Sequence, residues 1–133
     1  MIQNVDTKTE ILGEILELPG KYSEPNWDGY GACPVSPNSI AFAWGFVESV
    51  PSWKYRIKPE VGVDGDGFVV LDWYENPGSQ CDVTFSDDFR GVYLNAISCD
   101  LNAEASVSDG DFRKIVEFVM KYGFIADTKT SDK

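Results

Sequence analysis

The sequence predicts an α+β domain in which a four-stranded antiparallel β-meander packs with three α-helices, in the order α-α-β-β-β-β-α. Three observations carry that prediction. Apolar residues recur at helical spacing before Pro51 and again from Phe112, the period changes to two from about Lys54, and Gly, Pro, Asn and Asp cluster between the period-two runs. A chain of 133 residues buries one core of ordinary size. Residues 1–126 are read as a single globular domain and residues 127–133, "DTKTSDK", as a frayed polar tail.

The first helix starts at Asp6 or Thr7, because Thr7 and Glu10 form a T-x-x-E capping box ahead of Ile11, Leu12, Ile15 and Leu16, and Pro19-Gly20 stops it. The second has Ser36 as N-cap and Pro37 at its first position. Ile40, Ala43, Trp44, Val47 and Val50 form its apolar stripe, and Pro51 closes it. Four strands follow at 56–63, 67–74, 80–85 and 90–98, joined by the turn-forming stretches "VDGDGF", "ENPGSQ" and "SDDFRG". In the second of them Val69, Leu71 and Trp73 alternate with Phe68, Val70 and Tyr74, so both faces carry apolar groups. Such a strand is buried on both sides or leaves one face open to a partner. The last helix is capped by Ser108 or Asp109, carries Phe112, Ile115, Val116, Val119 and Met120 on one stripe, and ends at Gly123.

Composition excludes several function classes. No histidine is present, which removes the commonest general base, nucleophile partner and transition-metal ligand. Cys33, Cys81 and Cys99 are odd in number and widely spaced, as expected of buried thiols rather than of a disulfide framework or a zinc ribbon. The phosphate-cradling, nucleophile-elbow and H-E-x-x-H motifs are all missing. No apolar run approaches a membrane span and the first residues lack a signal-peptide pattern, so a cytoplasmic protein that does not engage membranes is expected. No cofactor is implied.

The net charge of −11 is concentrated in the middle of the chain. Residues 60–111 hold twelve acids, opposed by Arg90 alone, whereas residues 1–59 net −2 and residues 112–133 net +2. Acidic turns serve solubility and turn formation, but Asp72 and Asp82 fall within expected strands, where Asp is disfavoured. Charge this dense repels itself, a penalty offset when a cationic partner is met. Direct binding to nucleic acid is disfavoured by the same charge.

Two motifs need weighing. "DGDG" at 64–67 resembles the opening of a calcium loop, with Glu75 at the twelfth position, but the intervening "FVVLDWY" reads as a strand, so a hairpin turn is expected and no metal site. Asp72 with Asp82 or Glu75 could pair as acid and base on a sugar, although no pocket signature accompanies them. "NWDGYGACP" at 26–34 has an architectural reading, with Trp27 and Tyr30 folding onto the core and Asp28-Gly29 making a tight turn held by backbone hydrogen bonds to Asp28. It has a recognition reading too, because Trp and Tyr beside an acid are enriched at binding hot spots.

Asn26, Trp27, Asp28, Gly29, Gly31, Ala32 and Pro34, followed by Pro51, Pro59, Val61, Asp66, Gly67, Leu71, Asp72 and Trp73, form a pattern N-W-D-G-x-G-A-x-P, then D-G, then L-[DE]-W. Over roughly residues 24 to 74 the chain resembles a family of small bacterial and phage-borne proteins, mostly uncharacterised, that share it. The resemblance implies a mobile-element or conflict-system setting, in which small acidic proteins tend to be inhibitors, antitoxins or immunity proteins.

The expectation is therefore a non-enzymatic inhibitor, like an anti-CRISPR, that mimics nucleic acid and occupies a basic surface of a defence complex. Its binding residues are expected to be Asp64, Asp66, Asp72, Asp82, Asp87 and Asp88, with Trp27, Asp28 and Tyr30 as a second candidate surface. The alternative is an antitoxin or immunity protein that neutralises a basic toxin nuclease; a carboxylate-dependent hydrolase ranks third. A homodimer formed through the two-sided strand is left open.

Overall fold

The computed structural model of the chain describes residues 6–75, 79–87, 91–98, 101–107, 112–121 and 124–125. Their order is α1 (Thr7–Lys21), α2 (Pro37–Ser49), a single 3₁₀ turn (Ser52–Lys54), β1 (Glu60–Val63), β2 (Val69–Glu75), β3 (Ser79–Phe85), β4 (Val92–Ser98), β5 (Leu101–Val107) and α3 (Phe112–Lys121). The α+β class, the three helices and the four-strand meander are all found, each strand pairing antiparallel with the next. The meander then continues by one strand more. Leu101–Val107 pairs antiparallel with β4, in a stretch between the last expected strand and the last expected helix. Leu, Ala, Ala and Val alternate there with Asn, Glu and Ser, and Ala and Asn are poor strand formers, so the period was visible without the usual β-branched and aromatic residues.

Element ends moved for local reasons. Asp6 is the N-cap of α1, its Oδ1 accepting from the Thr9 N–H at 2.8 Å, so the Thr7 capping box does not form. The helix runs through Pro19 to Lys21, and the Tyr22 N–H closes its last turn on the Leu18 carbonyl. Proline removes one donor there without ending the helix. Ser36 and Pro37 open α2 as expected. The helix, however, is rotated: Ser39, Phe42, Ala43, Phe46 and Val47 are buried, while Ile40 and Trp44 lie at the margin. β1 begins only at Glu60, just after Pro59, which has no N–H to give a ladder. The expected cap at Ser108 or Asp109, the stop at Gly123 and the tail 127–133 lie outside the described residues.

The core sits between the helices and one face of the sheet. Ile11, Ile15 and Leu18 from α1, Phe42, Phe46 and Val47 from α2, and Ile115 and Val119 from α3 meet Val69, Leu71, Trp73, Cys81, Val83, Phe85, Val92 and Leu94. Phe46 and Phe112 pack edge to face with centroids 5.7 Å apart, and Phe42 does the same with Phe85 at 5.2 Å. Trp73 is fully buried in this layer, and its indole N–H has no partner among the described residues. No described helix is long and apolar enough to cross a membrane.

A fully buried polar side chain lies inside that layer. Ser39 is fully buried; its hydroxyl donates to the Phe85 carbonyl at 2.6 Å and accepts from the Val69 N–H at 2.7 Å. Val69 and Phe85 are register partners, so a single α2 side chain ties that end of β2 to that end of β3. Ser39→Ala leaves a buried donor and a buried acceptor unpaired and is expected to destabilise the fold by about 2 kcal/mol. A lower urea midpoint with an unchanged m-value checks this, and an unchanged midpoint would show the tie to be dispensable.

Candidate functional site

Period-two alternation decides what the second face of the sheet displays. With Val69, Leu71 and Trp73 turned to the helices, Val70, Asp72 and Tyr74 of β2 point away from them, as do Gln80, Asp82 and Thr84 of β3 and Tyr93 and Asn95 of β4. Tyr74 and Tyr93 are 57% and 55% exposed, and among the described residues no element covers this face. The two-sided strand is therefore explained by an open face of half-buried apolar and polar groups.

Register then brings acids together. Asp72 lies opposite Asp82, Glu60 opposite Asp72, Asn95 opposite Asp82, and Glu104 holds the position opposite Asn95. A transverse row Glu60, Asp72, Asp82, Asn95, Glu104 thus crosses all five strands, with neighbouring strands about 4.8 Å apart. The Gln80 amide donates to Asp72 Oδ1 at 3.1 Å and to Asp82 Oδ1 at 3.3 Å, bridging the two carboxylates. Partial burial, first, and the neighbouring Asp82, second, push the Asp72 carboxyl up to about 6, while Gln80 opposes that shift. Beneath the pair, burial pushes the Cys81 thiol up to about 12, with Asp82 and Asp72 adding to it. That thiol is buried as expected; Cys33 is exposed, contrary to expectation, and Cys99 lies outside the described residues.

Four of the described bases pair with acids outside this row. Arg56 pairs with Glu75 at 2.8 Å, Lys58 with Glu14, Lys8 with Glu48 and Lys21 with Glu17. Among the described residues no ion pair involves Glu60, Asp64, Asp66, Asp72, Asp82 or Asp87.

Of the remaining acids named from sequence, Asp64, Asp66 and Asp87 lie toward one end of the sheet. Asp64 Oδ1 accepts from the Asp66 and Phe68 N–H groups at 2.9 and 3.0 Å, which closes the β1–β2 turn. A groove of about 290 Å³ links this turn to the row, lined by Glu60, Val61, Val63, Asp64, Val70 and Asp72. Among the described residues no three acidic or thiol side chains converge as a metal centre would require. Asp66 is exposed at the turn tip and Asp87 is exposed just beyond β3, at the same end. Asp88 lies outside the described residues.

Trp27, Asp28 and Tyr30 form a separate unit that abuts the same turn. The Trp27 ring packs against Tyr22 with centroids 4.6 Å apart, and its indole N–H donates to the Cys33 carbonyl at 2.7 Å. Asp28 Oδ1 accepts from the Tyr30 and Ala32 N–H groups. Tyr30, expected in the architectural reading to fold onto the core, stands 92% exposed instead. The Cys33 N–H donates to the Gly65 carbonyl and the Ser36 N–H to the Gly67 carbonyl. Gly67 has φ +83°, and a Cβ there would collide with the Pro34 carbonyl oxygen. The two halves of the N-W-D-G and D-G pattern are thus one loop-to-turn contact, whereas Asp72 and Asp82 stand three residues into the ladder from its Val69–Phe85 end. Glu60, Gln80, Tyr93 and Asn95 were not named as site residues from sequence, and Tyr74 was read only as part of the two-sided strand; their period-two placement was legible, but the register that aligns them was not.

No protein-family model, curated protein or solved structure matches the chain.

Because the Asp72 carboxyl is pushed up from 3.8 to about 6, the folded state binds its proton more tightly than the unfolded state does. Stability contributed by that proton is present below about pH 4 and is lost as pH rises to about 6. Asp72→Asn removes the loss, so at pH 8 the variant is expected to be more stable by about 1 kcal/mol, a figure reduced for solvent screening at this half-exposed site, with no difference near pH 4. Urea denaturation across that range is the check, and a pH-independent difference would refute it.

Proposed function

We propose that this chain is a non-enzymatic binding protein whose acidic sheet face occupies a basic surface of a nucleic-acid-handling complex, in the manner of an anti-CRISPR or similar counter-defence inhibitor. The observation that carries this reading is the transverse row of Glu60, Asp72 and Asp82 on an open face, without a cationic partner among the described residues. Carboxylates about 4.8 Å apart from strand to strand present lysines and arginines with negative charge at a spacing of the same order as a phosphate backbone. Tyr74 and Tyr93 supply aromatic contact beside the charge, and arginine is the side chain best suited to both.

Charge also explains why such a face stays uncovered. Asp72 and Asp82 repel each other directly across a strand pair, which destabilises the free protein. A guanidinium or ammonium group seated between them relieves that repulsion, so binding is driven partly by what the free state lacks. The resemblance noted from sequence favours a phage or mobile-element setting. A basic toxin nuclease in place of a defence complex would use the same face, and the identity of the captured protein separates the two.

The test is capture from a host lysate at low and high salt with the wild type and the Asp72→Lys/Asp82→Lys double variant. The wild type is expected to retain a basic protein at low salt and release it at high salt; the double variant folds, by circular dichroism, and retains none. Equal retention by the two proteins would remove the electrostatic mechanism.

A further inference from the structure

The loop between α1 and α2 carries a feature that the sheet face does not use. Asn26, Gly29 and Gly31 all have positive φ, at 62°, 80° and 87°. Within this short stretch the Asn26 N–H donates to the Ala32 carbonyl at 2.6 Å, the Gly31 N–H to Asn26 Oδ1 at 2.6 Å and the Gly29 N–H to the Asn26 carbonyl at 3.0 Å. Asp28 Oδ1 holds the Tyr30 and Ala32 N–H groups at 2.8 and 3.2 Å. The base is clamped as well, by Trp27 on Tyr22 and by the Cys33 and Ser36 bonds to the β1–β2 turn. The N–H groups of Asn26, Gly29, Tyr30, Gly31, Ala32 and Cys33 are thereby held, yet the side chain at the loop tip, Tyr30, has neither a ring contact nor a hydrogen bond among the described residues.

Turning a corner would not require this. Positive-φ residues and internal hydrogen bonds position a tip, and burying an aromatic ring there would have stabilised the fold. A tyrosine held out on a rigid support loses little conformational freedom when it is inserted elsewhere, which is the property of an anchor residue. The surroundings define the socket. Between Lys21 and Lys54 the chain has no basic residue, and Glu24, Asp28, Asp64 and Asp66 belong to the loop and the turn it abuts.

We infer that Tyr30 is a preformed anchor that inserts into a pocket of the protein partner, apolar at its floor and lined with lysine or arginine at its rim. This rests on the binding-protein reading above and adds a second, shape-specific contact to the charged face. Electrostatic attraction at the sheet provides association rate, and the anchor provides residence time.

The experiment places p-benzoylphenylalanine at position 30 as a photo-crosslinking probe, maps the crosslinked partner residues by mass spectrometry, and measures affinity for that purified partner. Crosslinks into one concave, basic-rimmed site are expected. Tyr30→Ala should weaken binding by about 30-fold or more with an unchanged thermal midpoint, and Tyr30→Phe should stay within about threefold of wild type. No specific crosslink, or a Tyr30→Ala affinity within about threefold of wild type, would overturn the anchor. Loss of binding in Asp72→Lys/Asp82→Lys with full affinity in Tyr30→Ala sinks the anchor and keeps the charged face; the reverse pattern sinks the face and keeps the anchor.

Discussion

The pairing register between β2 and β3 is the constraint from which the rest of this structure follows. Aligning Leu71 with Val83 and Asp72 with Asp82 sends Val69, Leu71, Trp73, Cys81, Val83 and Phe85 to the helices and both carboxylates, with Val70 and Tyr74, to the other side. A slip of one residue would exchange the two sets for that strand, burying a carboxylate beneath α2 and exposing Trp73. The Ser39 hydroxyl holds this alignment where the ladder ends, because it contacts a backbone group of each strand at one register pair. A core residue of a helix thereby fixes which groups a surface on the far side of the sheet can present.

The two faces contribute to stability with opposite sign. The helix side is close-packed, with phenylalanines from α2 and α3 in edge contact and the Trp73 indole wholly enclosed. The open side carries like charges in direct cross-strand opposition, relieved in part by the Gln80 amide and by the proton that Asp72 holds more tightly than usual. Apolar burial can tolerate a penalty of that size, and binding can recover it. Among the described bases, Lys8, Arg56 and Lys58 are engaged with Glu48, Glu75 and Glu14 rather than with the row.

Much of the fold was legible in the sequence because local chemistry agreed with the global arrangement. Ser36-Pro37 opened a helix, Asp-Gly made the β1–β2 turn, and the change of period marked where the sheet begins. What stayed hidden was non-local. The rotation of α2 depends on which side Phe42 and Phe46 find the sheet, and β5 depends on pairing with β4 rather than on the propensity of Asn, Ala and Ser. For the site, the acids at 72 and 82 were identifiable by being out of place in strands. Their companions Glu60 and Gln80 became visible only through register, and Asp64, an obvious acid by sequence, is engaged in closing a turn.

The close approach of Gly67 to the Pro34 carbonyl, with the hydrogen bonds from Cys33 to Gly65 and from Ser36 to Gly67, joins two distant stretches of chain through main-chain atoms. Neither can be exchanged for a foreign segment without the other, since any side chain at position 67 displaces the strap that supports the tyrosine loop. Transplantation into another scaffold, or recombination between divergent copies, would have to carry residues 26 to 67 as one block, with the second helix inside it.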